Sequence, residues 1–492
     1  MVGGLFRTTR ARLRLAGLLL PGLLAPIFAV QAQEVLTKQN PYDPRPWIED
    51  FHQLLQEMGT HYANLEWAVN ERHMDLPDLG KKTEDALQHA RSDSDARAAI
   101  KTFLDSFGDG HLEIEWSGAD VSASDTKPEA DICERLGYRP RGKPGIDYSL
   151  LTQLSPVPSA EARLFPGGIL KAGGRTFGLI RIGVFTEKGF PDVCHQAVQH
   201  IGLSANAACN GACADKVELK TSDLLTTALT LRAEQLRHAG ANALLIDITR
   251  NGGGSDWVDA PPRALSPKPL RDPRLSFVKS DHWAKQLEDM LRDVEADQHN
   301  GHESDPVLRD AAVKLREAIA ASKESCNADR VWVDGKLNCS LLASDFLFAS
   351  GVLPHATPGG LIGYKSHFAL FYPARYAYTE NTNRLPLYVL VDKDTFSAAE
   401  YFAALLQDNQ AATIVGELTG GAGCGYTNGG IPTQLKNSKA EVQMPDCVRL
   451  RADGADEVNG ITPDVLVPWA KRDSAYQRVR KLMTTLNIEP RQ

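Results

Sequence analysis

Residues 385–406 read LPLYVLVDKDTFSAAEYFAALL, and this stretch contains the junction of a strand and a helix. The run Leu387–Val391 is apolar and rich in β-branched and aromatic residues, which predicts a buried strand. A polar break follows, and from Ala398 onward alanine, leucine and glutamate favour a helix. Ser397 therefore stands where a buried strand turns into a helix, next to the free N–H groups of the first helical turn.

Two interpretations of Ser397 follow from this position. A serine before a helix is most often an N-cap, whose side chain accepts a hydrogen bond from the helix. The same geometry also exposes a hydroxyl in the manner of a nucleophile elbow, although the G-x-S-x-G pattern is absent. The stretch by itself favours the N-cap, so residues elsewhere in the chain must decide.

The first 32 residues predict a signal peptide. Four arginines precede an apolar run that two prolines interrupt, and small residues lead to Ala32, after which we expect cleavage. The run is too short and too interrupted for a stable membrane span. We therefore expect a secreted or periplasmic protein, with a retained membrane anchor as the alternative.

The overall composition is that of a soluble globular protein, with 42% hydrophobic and 24% charged residues. The formal net charge of the whole chain is −8, and removal of the signal peptide would take away four arginines and no acidic residue. An acidic exported protein binds nucleic acid poorly, so we expect no nucleic-acid partner.

Eight cysteines, an even number, predict disulfides in an exported protein. The pairs Cys326–Cys339 and Cys424–Cys447 each bracket a short hairpin-like segment, and Cys209–Cys213 is spaced for a local bridge. Spacing alone does not determine the full connectivity. Cysteine and histidine are not grouped as in zinc sites, and we expect neither a metal ion nor a cofactor.

The mature chain divides into five parts. Residues 33–112 have apolar residues at helical spacing and predict an N-terminal helical domain, and residues 113–172 form an irregular linking region. Residues 173–254 and 341–492 carry the strand–helix–strand patterns of an α/β core. Residues 255–340 predict a helical insertion, which is either a lid over the core or a solvated decoration.

Finer predictions concern the insertion and the segment after it. Charged helices are predicted at about 281–297 and 305–323. Residues 330–339 contain Asp334-Gly335, which predicts a β-hairpin. Residues 367–372 predict a strand.

A hydroxyl nucleophile needs a base, and the candidates are few. The first lysine after Ser397 is Lys436, which disfavours a lysine base from that side. Among the 13 histidines, His111 has the most constrained setting, between a glycine-flanked turn and a predicted strand. Alone, such a histidine is more often structural, and His355 and His367 are the alternative bases.

The segment Arg250–Gly254 contains three consecutive glycines directly after a predicted strand. It is interpreted as part of an oxyanion hole shared with the N–H of Ala398, as a phosphate loop, or as a tight turn. The phosphate loop is disfavoured because neither GxxxxGK[ST] nor GxGxxG is present. Glu457 lies in a predicted loop before a strand, where it could orient a base, hydrogen-bond a group that does so, or simply be solvated.

Taken together, four segments resemble the tail-specific (C-terminal processing) serine protease family, which includes the tricorn protease core and the interphotoreceptor retinoid-binding proteins. In chain order these segments are Gly108–His111, Leu245–Gly254, Val389–Gly420 and Glu457–Asp464. The resemblance implies a crotonase-like ββα superhelical core and hydrolysis of peptide bonds by a serine.

The resemblance also implies the roles of the site residues. Ser397 would be the nucleophile, His111 the general base and Glu457 the supporting carboxylate. The oxyanion donors would be the N–H groups of Ala398 and of Gly252 or Gly253.

The chain departs from the family pattern at three places. Ala422 stands where one branch has its lysine base, so the chain is more similar to the tricorn-like branch with a histidine base. Gly110 stands where the tricorn pattern has a serine. Residues 117–170 are too few for the PDZ domain that many members carry.

These observations predict an exported serine peptidase that acts on peptide or protein substrates. One alternative is a non-catalytic protein of the same fold that binds an apolar ligand or a peptide in the same cleft. Another is a non-peptide acyl hydrolase, because the same groups attack any acyl carbon.

Overall fold

The computed structural model describes residues 42–116, 130–302, 304–324, 326–425 and 432–488. The predicted signal peptide and residues 33–41 lie outside the described residues, as do residues 117–129 of the predicted linking region. Everything below belongs to the unit Asp43–Gln492.

The described residues contain thirteen strands and fifteen α-helices. The strands are β1 (Glu113–Glu115), β2 (Leu154–Pro156), β3 (Gly167–Ala172), β4 (Arg175–Arg181), β5 (Ala243–Asp247), β6 (Arg274–Val278), β7 (Leu342–Phe348), β8 (Leu387–Val391), β9 (Thr413–Gly416), β10 (Thr433–Gln434), β11 (Glu441–Gln443), β12 (Cys447–Leu450) and β13 (Val465–Leu466). The helices are α1 (Arg45–His61), α2 (Leu65–Asn70), α3 (Leu76–Gln88), α4 (Asp93–Asp105), α5 (Ile132–Arg135), α6 (Glu161–Leu164), α7 (Pro191–His200), α8 (Ala212–His238), α9 (Ala260–Leu265), α10 (Asp281–Asp297), α11 (Pro306–Ser322), α12 (Val331–Asp334), α13 (His367–Leu370), α14 (Ala398–Asp408) and α15 (Ala475–Ile488).

A seven-stranded sheet in the order β13-β9-β8-β5-β4-β3-β2 forms the centre of the fold. The five strands from β13 to β4 run parallel, and β3 and β2 add antiparallel pairs at one edge. The unit β4–α8–β5 is the predicted strand–helix–strand element. Because β5 and β8 are parallel neighbours, the loops that leave their carboxyl ends lie side by side, and these are the loops with the glycine triplet and Ser397.

The two faces of this sheet are covered by different helices, because successive residues of a strand point to opposite faces. Ile246 and Val389 pack in one buried cluster with Leu229 of α8 and Phe402 of α14. Leu245, Tyr388 and their neighbours pack on the other face against α15. The structure thus confirms a mixed α/β fold, and the crotonase-like superhelical description remains a prediction.

Two smaller antiparallel sheets lie beside the central one. One has the order β1-β11-β10, and the other has the order β12-β6-β7. Helices α10 and α11 share a buried cluster with β6 and β7 through residues such as Trp283, Leu308 and Leu347. The predicted helices of the insertion are confirmed, and they pack on the sheet in which β6 of the insertion pairs with β7 and β12 of the segment 341–492.

Two local predictions are wrong. Residues 330–339 form the short helix α12 instead of a hairpin, because Gly335 adopts φ +71° and ends a helical turn. The predicted strand at 367–372 is the helix α13 followed by a 3₁₀ turn. The carboxylate of Asp297 accepts hydrogen bonds from the N–H groups of Lys365 and Ser366, and it thereby holds the start of this helical segment.

Four disulfides are present, and they join Cys133–Cys194, Cys209–Cys213, Cys326–Cys339 and Cys424–Cys447. The three pairs that spacing indicated are therefore formed. Such a set is typical of extracellular or periplasmic proteins. Among the described helices, none has both the length and the apolar character needed to cross a membrane.

Candidate active site

Ser397 occupies a sharp turn between β8 and α14. Its backbone has φ +54° and ψ −122°, a conformation that residues other than glycine rarely adopt. The turn is held on both sides of Ser397. The N–H of Phe396 donates to the carbonyl of Asn251 (3.0 Å), and the N–H of Ser397 donates to Oε2 of Glu400 (3.0 Å). The hydroxyl of Ser397 is thus presented at the carboxyl edge of the parallel strands.

His111 lies next to this hydroxyl although 286 positions separate the two residues in sequence. Its Nε2 is 3.0 Å from Oγ of Ser397. The N–H of His111 donates to Oδ1 of Asp109 (2.9 Å), while Oδ2 of Asp109 accepts from Tyr62 (3.0 Å) and Asn64 (2.7 Å). The junction of α1 and α2 therefore fixes the backbone that carries the imidazole. The strand predicted to begin at His111 begins at Glu113.

The surroundings of His111 favour the neutral imidazole. Burial lowers the pKa of His111 below its ordinary value, and the cation of Arg449 acts in the same direction. The carboxylate of Asp109 opposes both, with smaller contributions from the carbonyl of Cys424 and the carboxylate of Glu113. Nδ1 is buried and makes no hydrogen bond of ordinary geometry with the described residues. A neutral histidine in contact with a serine hydroxyl is able to accept its proton.

The glycine triplet packs directly against the Ser397 turn. Gly253 has φ +90°, and a Cβ there would lie 2.8 Å from both the nitrogen of Ala398 and Cβ of Ser397, so only glycine fits. The N–H of Gly253 donates to Oδ1 of Asn251 (2.9 Å) and is already used. No hydrogen bond between described residues uses the N–H of Gly252 or of Ala398. Of the predicted oxyanion donors, these two N–H groups are the ones left available.

Glu400 connects the first turn of α14 to the loop after β9. Its buried carboxylate accepts four hydrogen bonds, from the N–H groups of Ser397 (3.0 Å), Gly421 (2.8 Å) and Ala422 (2.7 Å) and from the hydroxyl of Thr419 (2.5 Å). Burial raises the pKa of Glu400, and these donors counteract the effect. The loop and the Ser397 turn are thus held by one side chain.

Glu457 is buried but does not hydrogen-bond to His111. Its two carboxylate oxygens accept from Arg449, at 2.6 Å from Nε and 2.8 Å from Nη2. Arg449 also donates to the carbonyl of Gly423 (3.1 Å), and its guanidinium lies 5.1 Å from the ring centre of Tyr401. Of the roles considered for Glu457, the structure shows no direct contact with His111 but an ion pair with Arg449, and its part in supporting the base stays a prediction.

Gly110, where the tricorn pattern has a serine, lies against the Glu400-bound loop. Its N–H donates to the carbonyl of Gly421 (3.2 Å), and a Cβ on Gly110 would lie 2.7 Å from Cβ of Ala422. A side chain at this position therefore has no room. The same contact explains why Ala422 carries no long side chain toward the base.

The alternative bases lie in other surroundings. Nε2 of His355 contacts the carboxylate of Glu380 at 3.1 Å, and Nδ1 of His367 contacts the carbonyl of Tyr364 at 2.8 Å. Of the three histidines considered from sequence, His111 is the one in contact with Ser397.

One group of described side chains has the spacing of metal ligands, namely Asp131, Cys133 and His195. Cys133 is bonded to Cys194 and offers no thiolate, and His195 pairs with Asp131 at 2.8 Å. This group is therefore explained by a disulfide and an ion pair.

Comparison with known proteins indicates a family for part of the chain. Residues 276–467 match the family model described as peptidase family S41, and the matched range contains Ser397, Arg449 and Glu457. This stretch of the chain is similar to peptidase family S41, which agrees with the serine protease family that the four segments predicted.

The individual proteins to which this chain is similar are distant. An uncharacterized protein of Chlamydia muridarum is 28% identical over 265 residues, which make up 50% of this chain and 38% of that protein. This chain thus spans well under two thirds of the length of the curated relative. Among solved structures, mature CPAF in complex with lactacystin has a TM-score of 0.53 at 16% identity, over 90% of this chain and 98% of that one. Mature CPAF alone gives 0.53 at 15% identity, over 90% and 96%. At identities this low, the structural likeness shows a similar fold and nothing more.

Two residues of the candidate site were not predicted from the sequence. Glu400 lies three positions after Ser397, and the pattern Ser-x-x-Glu at a helix start is the spacing of a capping box, a signal that was available. Arg449 lies in β12, and no sequence pattern marks it. Its contacts with Glu457 and its nearness to His111 arise only when the separate elements pack together.

Proposed function

We propose that this protein is a serine peptidase in which Ser397 is the nucleophile and His111 the general base. The observation that carries the proposal is the 3.0 Å separation between Nε2 of His111 and Oγ of Ser397. Hydrogen-bonding reach between nucleophile and base is the first geometric requirement of such a mechanism.

In the first half of the reaction, Oγ of Ser397 attacks the carbonyl carbon of the scissile peptide bond while His111 takes the hydroxyl proton. The negative charge that forms on the carbonyl oxygen is stabilised by the N–H groups of Ala398 and Gly252. The protonated His111 then donates to the leaving amine, and an acyl-enzyme remains on Ser397. In the second half, water attacks the ester with His111 again as the base, and Ser397 is released.

Glu457 acts in this scheme through Arg449. An unpaired guanidinium near His111 would oppose formation of the imidazolium that the reaction requires. The carboxylate of Glu457 offsets that charge at 2.6–2.8 Å from the guanidinium nitrogens, so the imidazole, which burial keeps neutral at rest, can still be protonated during turnover. Glu457 and Arg449 are accordingly positioning residues for the site. The histidine base corresponds to the tricorn-like branch of the family.

The substrate is a peptide or protein, and the protein works outside the cytoplasm after cleavage of the signal peptide at Ala32. The four disulfides support an oxidising compartment. The catalytic core comprises residues 173–254 and 341–492, and the helical domain at 33–112 delivers the base. No nucleic acid or cofactor takes part in this scheme.

An active-site-directed fluorophosphonate tests the proposal directly. We expect the mature protein to be labelled at Ser397, and Ser397→Ala to abolish both labelling and peptide cleavage. His111→Ala should lower turnover by about 10²–10⁴-fold, the usual contribution of a general base. His355→Ala serves as the matched control and should retain normal turnover.

Two results would contradict the assignment. Labelling that persists in Ser397→Ala would move the nucleophile elsewhere. Normal turnover in His111→Ala together with a loss in His355→Ala would move the base. Co-purification of an apolar ligand with an unlabelled wild-type protein would favour the non-catalytic binding protein instead.

A further inference from the structure

A cleft of about 550 Å³ is lined by residues of the insertion helix α10 and by Gly425. Gly425 lies close to His111, because a Cβ built on it would be 3.6 Å from Cε1 of that residue. Asp256, two residues after the glycine triplet, also lines the cleft. The cleft therefore adjoins the proposed base, and its volume is within the range of small-molecule pockets.

The floor of the cleft is apolar. Leu275 of β6 and Leu347 of β7 are almost fully buried beneath it, and Met290 of α10 borders it from the insertion. Phe368 of α13 lines the same space and leaves 45% of its surface exposed. A large aromatic side chain that remains uncovered beside a concave apolar floor marks a surface that a ligand would cover.

The rim of the cleft carries three carboxylates, but each has a partner. Asp256 accepts from the hydroxyl of Tyr372 (2.6 Å), and the cation of Arg375 acts on the same pair. Asp289 pairs with Arg292 at 2.6 Å, and Asp293 pairs with Lys365 at 2.7 Å. Because cations accompany these carboxylates, the rim does not attract a basic side chain strongly, and the apolar floor decides what binds.

We propose that α10 is the specificity-determining element of this peptidase and that the cleft takes a large apolar side chain of the substrate residue next to the scissile bond. This inference rests on the proposed function, because it needs a peptide held at Ser397. Leucine, methionine and phenylalanine side chains bury enough apolar surface to use the floor, whereas glycine and acidic residues do not. Selection of the substrate thus involves the insertion helix α10 together with the strands and loops that complete the cleft.

Cleavage of a peptide library by the full mature chain tests this proposal. We expect one position next to the scissile bond to be enriched in Leu, Met and Phe. Met290→Asp should lower kcat/KM for the best apolar substrate by about 10-fold to 200-fold, the range over which a pocket discriminates apolar groups. The same variant should shift the preference toward Lys or Arg at that position, because the new carboxylate faces the bound side chain. Met290→Leu should keep the original preference.

Lys285→Asp is the matched control, since it places the same residue at an exposed position of α10 outside this cleft. It should leave the preference unchanged. Fluorophosphonate labelling, which needs only the catalytic centre, should be the same in all four proteins and separates the two proposals. If labelling is normal but the library shows no apolar preference, or Met290→Asp and Lys285→Asp behave alike, the role of α10 is refuted. If the wild-type protein is neither labelled nor active, the proposed function fails and this inference fails with it.

Discussion

The contact between Gly110 and Ala422 provides a sharp test of how the site is held together. Gly110 directly precedes His111, and Ala422 belongs to the loop that Glu400 ties to the first turn of the Ser397 helix. A Cβ at position 110 would lie 2.7 Å from Cβ of Ala422, with its next neighbours at 3.5 Å. The change Gly110→Ala therefore inserts one methyl group between the segment that carries His111 and the loop that Glu400 ties to the Ser397 helix.

The size of the effect follows from this overlap. Carbon atoms pack at about 3.5–4.0 Å, so the two segments must separate by roughly 0.8 Å or more. A misplacement of about 1 Å costs on the order of 10²-fold in rate, or about 2.7 kcal/mol of transition-state stabilisation. Overpacking of this kind also lowers the free energy of unfolding by about 1–3 kcal/mol. We expect Gly110→Ala to fold and to lose about 100-fold in kcat/KM by this reasoning.

The assay combines peptide cleavage, the rate of fluorophosphonate labelling and thermal unfolding. Removal of the opposing methyl group in the double variant Gly110→Ala/Ala422→Gly should recover most of the lost rate, because both changes act on one contact and are not additive. Ala422→Gly alone is the control for added flexibility of the loop. Wild-type labelling in Gly110→Ala, or a double variant no better than the single one, would refute the reasoning.

Three further predictions concern the surroundings of the catalytic pair. Burial lowers the pKa of His111, so the imidazole stays neutral at pH values somewhat below its ordinary pKa of 6.5. The acid limb of the profile of kcat/KM against pH should therefore have its midpoint below pH 6.5, and a midpoint above pH 6.5 would contradict this. Glu400→Gln replaces one carboxylate oxygen, an acceptor, by an NH₂ donor that faces other donors. The free energy of unfolding measured by chemical denaturation should therefore fall by about 1–3 kcal/mol, and fluorophosphonate labelling should become slower. Replacing both Cys424 and Cys447 by alanine should lower the free energy of unfolding by about 2–4 kcal/mol and reduce turnover, since this bridge anchors the loop beside the base; unchanged turnover would show that the loop holds its position without it.

Local sequence patterns predicted the local features of the fold well. The buried strand before Ser397 and the helix after it are present, as are the strand–helix–strand unit and the two helices of the insertion. Patterns that depend on surroundings were misread. The segment at 367–372 looked like a strand, and the carboxylate of Asp297 from another element holds its start in a helix.

The same distinction between local patterns and tertiary contacts applies to the candidate site. The sequence by itself determined which residues carry reactive groups and which turns require glycine, because residue type and spacing along the chain encode these properties. Only the tertiary structure decided which groups meet: His111 approaches Ser397 across 286 positions, Glu457 pairs with Arg449, and the N–H of Gly253 is used by Asn251. Such contacts depend on how separate elements pack, and no local pattern records the position of a distant partner. The strand and helix around Ser397 thus determine where the proposed nucleophile stands, whereas the proposed base, the ion pair and the cleft come together only through the fold.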